Sequence, residues 1–158
     1  MTRLTRNELI DLCENRYFGN VVRGSLDAIV ACFTPDTLLV IRHGDDAERR
    51  MYGAPDGDAA HISEFWKHLN GNFDARFEDF AHVVDTEQQR IASTFLVTLA
   101  PKAGSPYVGR GTLQLKNCNF FWVEDGLIAR MIVYYSNPET GGDPIGKPSG
   151  YPPARSAT

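Results

Sequence analysis

The side chains able to do chemistry are few and widely spread. His43 ends a branched apolar run and is followed, after Gly44, by Asp45 and Asp46, His82 sits in an alternating segment, and Asn117 and Asn119 interrupt a long apolar stretch. An imidazole exchanges protons near neutrality, and an adjacent carboxylate can orient it or act itself. Amides on an apolar face need partners, which a bound molecule can supply. Proton transfer is the chemistry such a set supports. No grouping of histidines, cysteines and carboxylates has metal-ligand spacing, and neither a glycine-rich phosphate loop nor a Gly-x-Ser-x-Gly elbow occurs. The expected chemistry therefore uses no metal and no other cofactor. Cys13, Cys32 and Cys118 are odd in number and far apart, which suggests neither a disulfide framework nor a zinc site.

The 158 residues fit one domain with a single core, and the net charge of −4 comes with scattered basic residues. That pattern speaks against a nucleic-acid surface and an anionic membrane surface, and no apolar run is long enough to cross a bilayer. The N-terminus has no signal-peptide pattern, so the expected location is cytoplasmic. Small hydrophobic molecules and further copies of the chain remain as partners.

These residues must be positioned by a few elements. Thr5 with Glu8 forms a capping box, and Leu9, Leu12, Cys13, Tyr17 and Val21 recur at helical spacing until Gly24. Ser25 opens a short second helix with Leu26, Ile29, Val30 and Phe33 inward, which Pro35-Asp36 stops. Thr37 to His43 reads as a strand with Leu39, Ile41 and His43 on one face. A polar loop leads to a short strand at Met51-Tyr52, and after a turn at Asp56-Gly57-Asp58 a third helix runs from Ala59 to Leu69, closed by Asn70-Gly71-Asn72. That helix buries Trp66 and leaves His61 and His68 at the surface. Phe73 to Asp85 and Arg90 to Ala100 are strands, and a parity change near Glu78-Asp79 predicts a bulge. Two long runs, Gly111 to Val123 and Leu127 to Tyr135, then form a hairpin across Glu124-Asp125-Gly126. If that loop has three residues, with Gly126 at the bulge position, then Leu113, Leu115, Asn117, Asn119, Phe121 and Val123 share a face with Ala129, Met131, Val133 and Tyr135. A two-residue Asp-Gly turn puts Cys118 and Phe120 with Met131 instead. Residues 138–158 form a Pro/Gly-rich tail after a domain at 1–137, either disordered or laid over another surface.

The stretches Arg16-Tyr17, Gly24 to Ala31 and Phe33-Thr34-Pro35-Asp36, with Glu124 to Ile128 leading to Tyr134-Tyr135, resemble the nuclear transport factor 2-like superfamily. Its members include the ketosteroid isomerases and the SnoaL-like polyketide cyclases. The resemblance implies an α+β fold, a cone-shaped curved mixed β-sheet wrapped around three N-terminal helices, with ligands entering the open end. It places Tyr17 at the position of a tyrosine and, if the turn is one residue shorter here, Asn119 at the position of an acid, that in the ketosteroid isomerases bind a developing enolate oxygen. An asparagine amide can still donate there. Ile41 stands where the isomerases carry a carboxylate base, a departure that puts isomerase activity in question.

His43, two residues on and on the same strand face, is then the best base, with Asp45 beside it. Ile41, Trp66, His82, Asn117, Phe121, Met131 and Tyr135 are expected to touch the substrate. The functional expectation is a cofactor-independent enzyme doing proton-transfer chemistry, such as isomerisation, aldol-type cyclisation or dehydration, on a small hydrophobic carbonyl compound. The alternative is a non-catalytic ligand-binding or assembly domain of the same fold. A homodimer is expected because the outward hairpin face, with Phe120, Trp122, Ile132 and Tyr134, is too apolar to stay exposed.

Overall fold

The computed structural model describes residues 1–43 and 47–136; Asp45 and the tail at 138–158 lie outside them. Thr5 caps the first helix as expected, its hydroxyl accepting the Glu8 N–H while the Glu8 carboxylate accepts the Thr5 N–H and hydroxyl. That helix, α1, is α-helical over Arg6–Asp11, π-wound over Leu12–Phe18 and α-helical again over Gly19–Arg23. Gly24 ends it at φ 68°, a backbone conformation that favours glycine. The second helix, α2, spans Leu26–Val30, and the third, α3, spans Ser63–Asn72.

Seven strands form one mixed sheet in the order β3-β2-β1-β7-β6-β5-β4, where β1 is Phe33–His43, β2 Arg49–Tyr52, β3 Ala60–His61, β4 Phe73–Asp85, β5 Arg90–Pro101, β6 Leu113–Glu124 and β7 Leu127–Tyr135. The sheet is antiparallel except where β1 runs beside β7 and β2 beside β3. The helices pack onto the face carrying Leu39, Ile41, Phe95, Leu99, Phe121 and Met131, and the core they close includes Tyr17, Phe18, Phe33 and Trp66. The bulge expected in β4 is present: the β4–β5 register shifts between Glu78 and Ala81, and Asp79 has φ 56°. Phe77 on one side of it and Phe80 on the other therefore both pack inward against Phe18.

Three boundaries differ from the sequence reading. Helix α2 ends at Val30, and Pro35 lies inside β1, whose pairing with β7 is irregular between Phe33 and Leu38. Pro35 has no N–H to give a ladder, and the irregularity falls where that donor is missing. Helix α3 starts at Ser63 because Ala60 and His61 are drawn into strand pairing with Met51 and Tyr52. His61 is consequently no surface helix residue; its Nδ1 accepts the Ser63 N–H at 3.1 Å, satisfying a donor at the helix start. The same helix continues through Gly71 to Asn72, because the Asn70 and Asn72 carbonyls that a turn would have satisfied accept hydrogen bonds from Lys102 instead.

The hairpin corrects the most consequential expectation. Glu124 pairs with Leu127, so the loop has two residues, Asp125 and Gly126, at φ 48° and 80°. Both angles positive is the turn type that Asp-Gly favours. The face assignment nevertheless survives, because Val123 pairs with Ile128 and Trp122 with Arg130, which makes Ala129 an extra residue on β7. The Thr37 hydroxyl, fully buried on β1, donates to the Ala129 carbonyl at 3.0 Å and so satisfies the group the bulge displaces. Beyond the bulge, Asn119 and Phe121 share the inner face with Val133 and Met131, while Cys118 and Phe120 face outward. Ile128 takes the inward place expected for Ala129.

Candidate functional site

A small, partly open cavity of about 30 Å³ lies between α1, α3 and the inner faces of β4 to β7. Most of its wall is apolar, from Phe18, Val21, Phe65, Leu69, Val97 and Leu115 among others, and its polar members are Tyr17, Asn117, Asn119 and Tyr135. Small-molecule sites generally have this composition, a mainly apolar concavity with a few converging polar groups.

Tyr17 projects from the π-wound turn of α1 and is 3% exposed. Trp66 Nε1–H donates to its oxygen at 3.2 Å, and Phe33, Trp66 and Phe121 meet its ring edge-on. Burial pushes the phenol well above its ordinary range, outweighing the opposite effect of the Trp66 hydrogen bond. The group therefore stays neutral. Its oxygen is occupied as an acceptor while its own hydrogen has no acceptor among the described residues. A phenol so arranged is a pre-aimed donor.

The two amides of β6 are held differently. Asn117 Oδ1 accepts the Ser136 N–H at 3.2 Å, and its Nδ2 makes no hydrogen bond within the described chain. Asn119 Nδ2 contacts Met131 Sδ at 3.7 Å, while Oδ1 is buried with no partner. An orphaned buried acceptor costs about 1–3 kcal/mol, which an amide at a pure packing position does not incur. Together with Tyr17 the cavity offers two donors and one acceptor on an apolar wall.

Tyr17, Asn117, Asn119 and Tyr135 are thus brought together. Ile41, Trp66, Phe121 and Met131 lie in the core and not in the cavity lining; Trp66 and Phe121 contact Tyr17, and Met131 contacts Asn119. His43 stands opposite Tyr135 in the β1–β7 pairing, the two rings 5.8 Å apart and inclined at 71°, and is 7% exposed. It sits behind the Tyr135 wall and is not itself among the lining residues. His82 is turned inward after the β4 bulge but is bound by other groups, Glu14 Oε1 at 2.6 Å from Nε2 and Ser93 Oγ at 2.8 Å from Nδ1. Glu14 and Ser93 escaped the sequence reading. Ser93 shares the inward parity of Ile91 and Phe95, which was a usable signal; Glu14 gave none, because the π-winding that sets its direction leaves no mark in the apolar pattern.

Among the described residues no group of three or more histidines, cysteines and acids could hold a metal ion. Burial raises the thiols of Cys13, Cys32 and Cys118, which disfavours the thiolate form that a nucleophile needs. No helix among the described residues is long and apolar enough to cross a membrane.

Three helices packed against a curved, mixed seven-stranded sheet, with a pocket between them, define the class of proteins with the nuclear transport factor 2-like fold. Within that class the chain belongs to the SnoaL-like domain family, which matches residues 15–131. Similar solved structures include PrhC from Penicillium brasilianum, at 16% identity and TM-score 0.68 over 84% of this chain and 83% of that one. A candidate polyketide cyclase from Pseudomonas putida is 23% identical, with TM-score 0.64 over 85% and 93% of the two chains. A nuclear transport factor 2-like protein from Burkholderia xenovorans is 12% identical, with TM-score 0.60 over 84% and 92%. At these identities the likeness concerns the fold. No curated protein sequence matches the chain significantly.

Proposed function

We propose that the protein is a SnoaL-like enzyme that binds a small hydrophobic carbonyl compound and moves a proton next to that carbonyl, in an isomerisation, an aldol-type cyclisation or a dehydration, using its own side chains in the cytoplasm. The observation that carries this reading is the unspent hydrogen-bonding capacity of Tyr17, Asn117 and Asn119 in an otherwise apolar cavity. Donors fixed in a water-poor site stabilise an enolate oxygen without having to reorganise. Tyr17 supplies the strongest of them because Trp66 fixes its oxygen. His43 is the base that the sequence suggested, but it stands behind Tyr135 and outside the cavity wall, so its part in proton transfer is what the His43→Ala variant tests.

The test is exchange of α-protons in heavy water. Bicyclic aromatic ketones such as tetralone serve as probes, followed by proton NMR. Exchange catalysed by the wild-type protein should fall about 10²–10³-fold in Tyr17→Phe, the usual loss on removing an oxyanion donor. Unchanged exchange in His43→Ala would reject the base assignment. A second reading, ligand binding without turnover, is favoured by one observation: Ile41, fully buried, stands where the resemblance implies a carboxylate. Tight probe binding with no exchange at any pH would support it.

A further inference from the structure

A row of polar side chains crosses the inner face of the sheet beneath α1 and ends at the cavity. His82 is paired with Ser93 across β4 and β5, and Ser93 with Asn119 across β5 and β6. The row runs from the partly exposed Glu14 side chain at 33%, through the His82 side chain at 7%, to the buried Ser93 and Asn119. We propose that Glu14 and His82 are positioning residues that act through Ser93 to decide whether the Asn119 amide oxygen is offered to a ligand or taken by the protein.

The hydrogen count forces the arrangement. An ionised Glu14 only accepts, so the Nε2 of His82 carries a hydrogen toward it. In the neutral ring Nδ1 is then bare, and the single hydrogen of Ser93 goes to it. Ser93 consequently turns only lone pairs toward its neighbour. Asn119 reaches toward β7 with Nδ2, at Met131 Sδ, which leaves Oδ1 for the β5 side, where it finds no donor. Side chains directly opposite on neighbouring strands have Cβ atoms about 4.5–5.5 Å apart, so a rotated hydroxyl can reach that oxygen.

When His82 takes a proton from solvent, Nδ1 becomes a donor, Ser93 accepts from it, and the serine hydrogen is released toward Asn119 Oδ1. The cavity then loses its one acceptor. No covalent bond changes apart from the proton gained at His82. Among the described residues, Glu14 from α1 is the charged group bonded to the ring; Ser93 from β5 is uncharged, and Phe80, on β4 with His82, stacks on the ring at 5.7 Å and 14°. The relay rests on the carbonyl-site reading only for its consequence in catalysis, because its mechanics are visible without ligand.

The experiment is therefore an NMR pH titration of the ligand-free full chain, with ¹⁵N-labelled histidine and asparagine. The Asn119 side-chain amide should shift with the same midpoint as the His82 ring. In Ser93→Ala the ring should still titrate while the Asn119 signal stays flat, and Ser93→Thr should restore the coupling. Glu14→Gln, at a partly exposed position that tolerates change, should displace both midpoints together, which keeps the test available if Ser93→Ala fails to fold. An Asn119 signal that ignores His82, that follows it unaltered in Ser93→Ala, or that keeps its midpoint while the ring's moves in Glu14→Gln would overturn the relay. None of these outcomes bears on whether the cavity binds ketones, and loss of ketone binding would leave the relay intact.

Discussion

Replacing Asn119 by leucine should stabilise the protein while disabling its site. The amide is 2% exposed, its Oδ1 has no partner, and its Nδ2 holds only a thioether at 3.7 Å. Removing the orphaned acceptor recovers about 1–3 kcal/mol, and losing a weak N–H to sulfur contact gives back less than the about 1 kcal/mol of an ordinary hydrogen bond. Leucine is close in size, and the adjoining cavity takes any excess volume. The net expectation is a gain of about 0–2 kcal/mol, or a few degrees in Tm at roughly 2–4 °C per kcal/mol for a domain of this size. Urea unfolding with an unchanged m-value measures it. Asn117→Leu is the contrast, because it strips the Ser136 N–H of its acceptor and should cost about 0.5–1.5 kcal/mol. A loss above about 1 kcal/mol in Asn119→Leu would refute the reasoning, since it would show the amide to be a structural group. Gain of stability with loss of activity is what a site held in strain produces.

Three further outcomes follow from the same geometry. Because burial holds the Tyr17 phenol above its unfolded value, its contribution to stability is complete below the ordinary tyrosine range and declines as pH rises beyond it; Tyr17→Phe should flatten the alkaline limb of an unfolding profile. Gly53→Ala should destabilise the protein by about 1–3 kcal/mol in denaturant unfolding, since an added Cβ runs into the Pro35 carbonyl beside β1. The outward face carries Phe120 and Tyr134, 39% and 36% exposed, beside Trp122 under Arg130. Sedimentation at micromolar concentration should show a dimer that Phe120→Asp dissociates, and a monomeric wild type would remove that expectation.

The helices and long strands were legible because capping at Thr5, the glycine at position 24 and the period-two runs of β4 to β7 are local signals that tertiary packing did not override. Parity grouped Asn117 and Asn119 with Leu113, Leu115, Phe121 and Val123, but their placement on the inner face was tied to a three-residue hairpin loop that the structure does not have. The hairpin loop shows a compensation that local signals cannot reveal: the Asp-Gly turn pushed the register one way, and an extra residue at Ala129, held by Thr37 from a distant strand, pushed it back. The start of α3 was misread for a similar reason, since strand pairing of Ala60 and His61 depends on where β2 lies. Within the site, residue types were visible but partnerships were not. Nothing in the sequence couples Trp66 to Tyr17, or Glu14 to His82, because each pair joins separate elements through side chains alone.

The central claim is that Tyr17 and the Asn117 amide donate to a carbonyl oxygen, and the infrared spectrum of bound ¹³C=O-labelled tetralone tests it most directly. The carbonyl stretch should move to lower frequency on binding to the wild-type protein, by more than it does in water, and most of that movement should vanish in Tyr17→Phe. A bound ketone whose carbonyl absorbs where it does in an apolar solvent, alike in the wild type and in Tyr17→Phe, would contradict it.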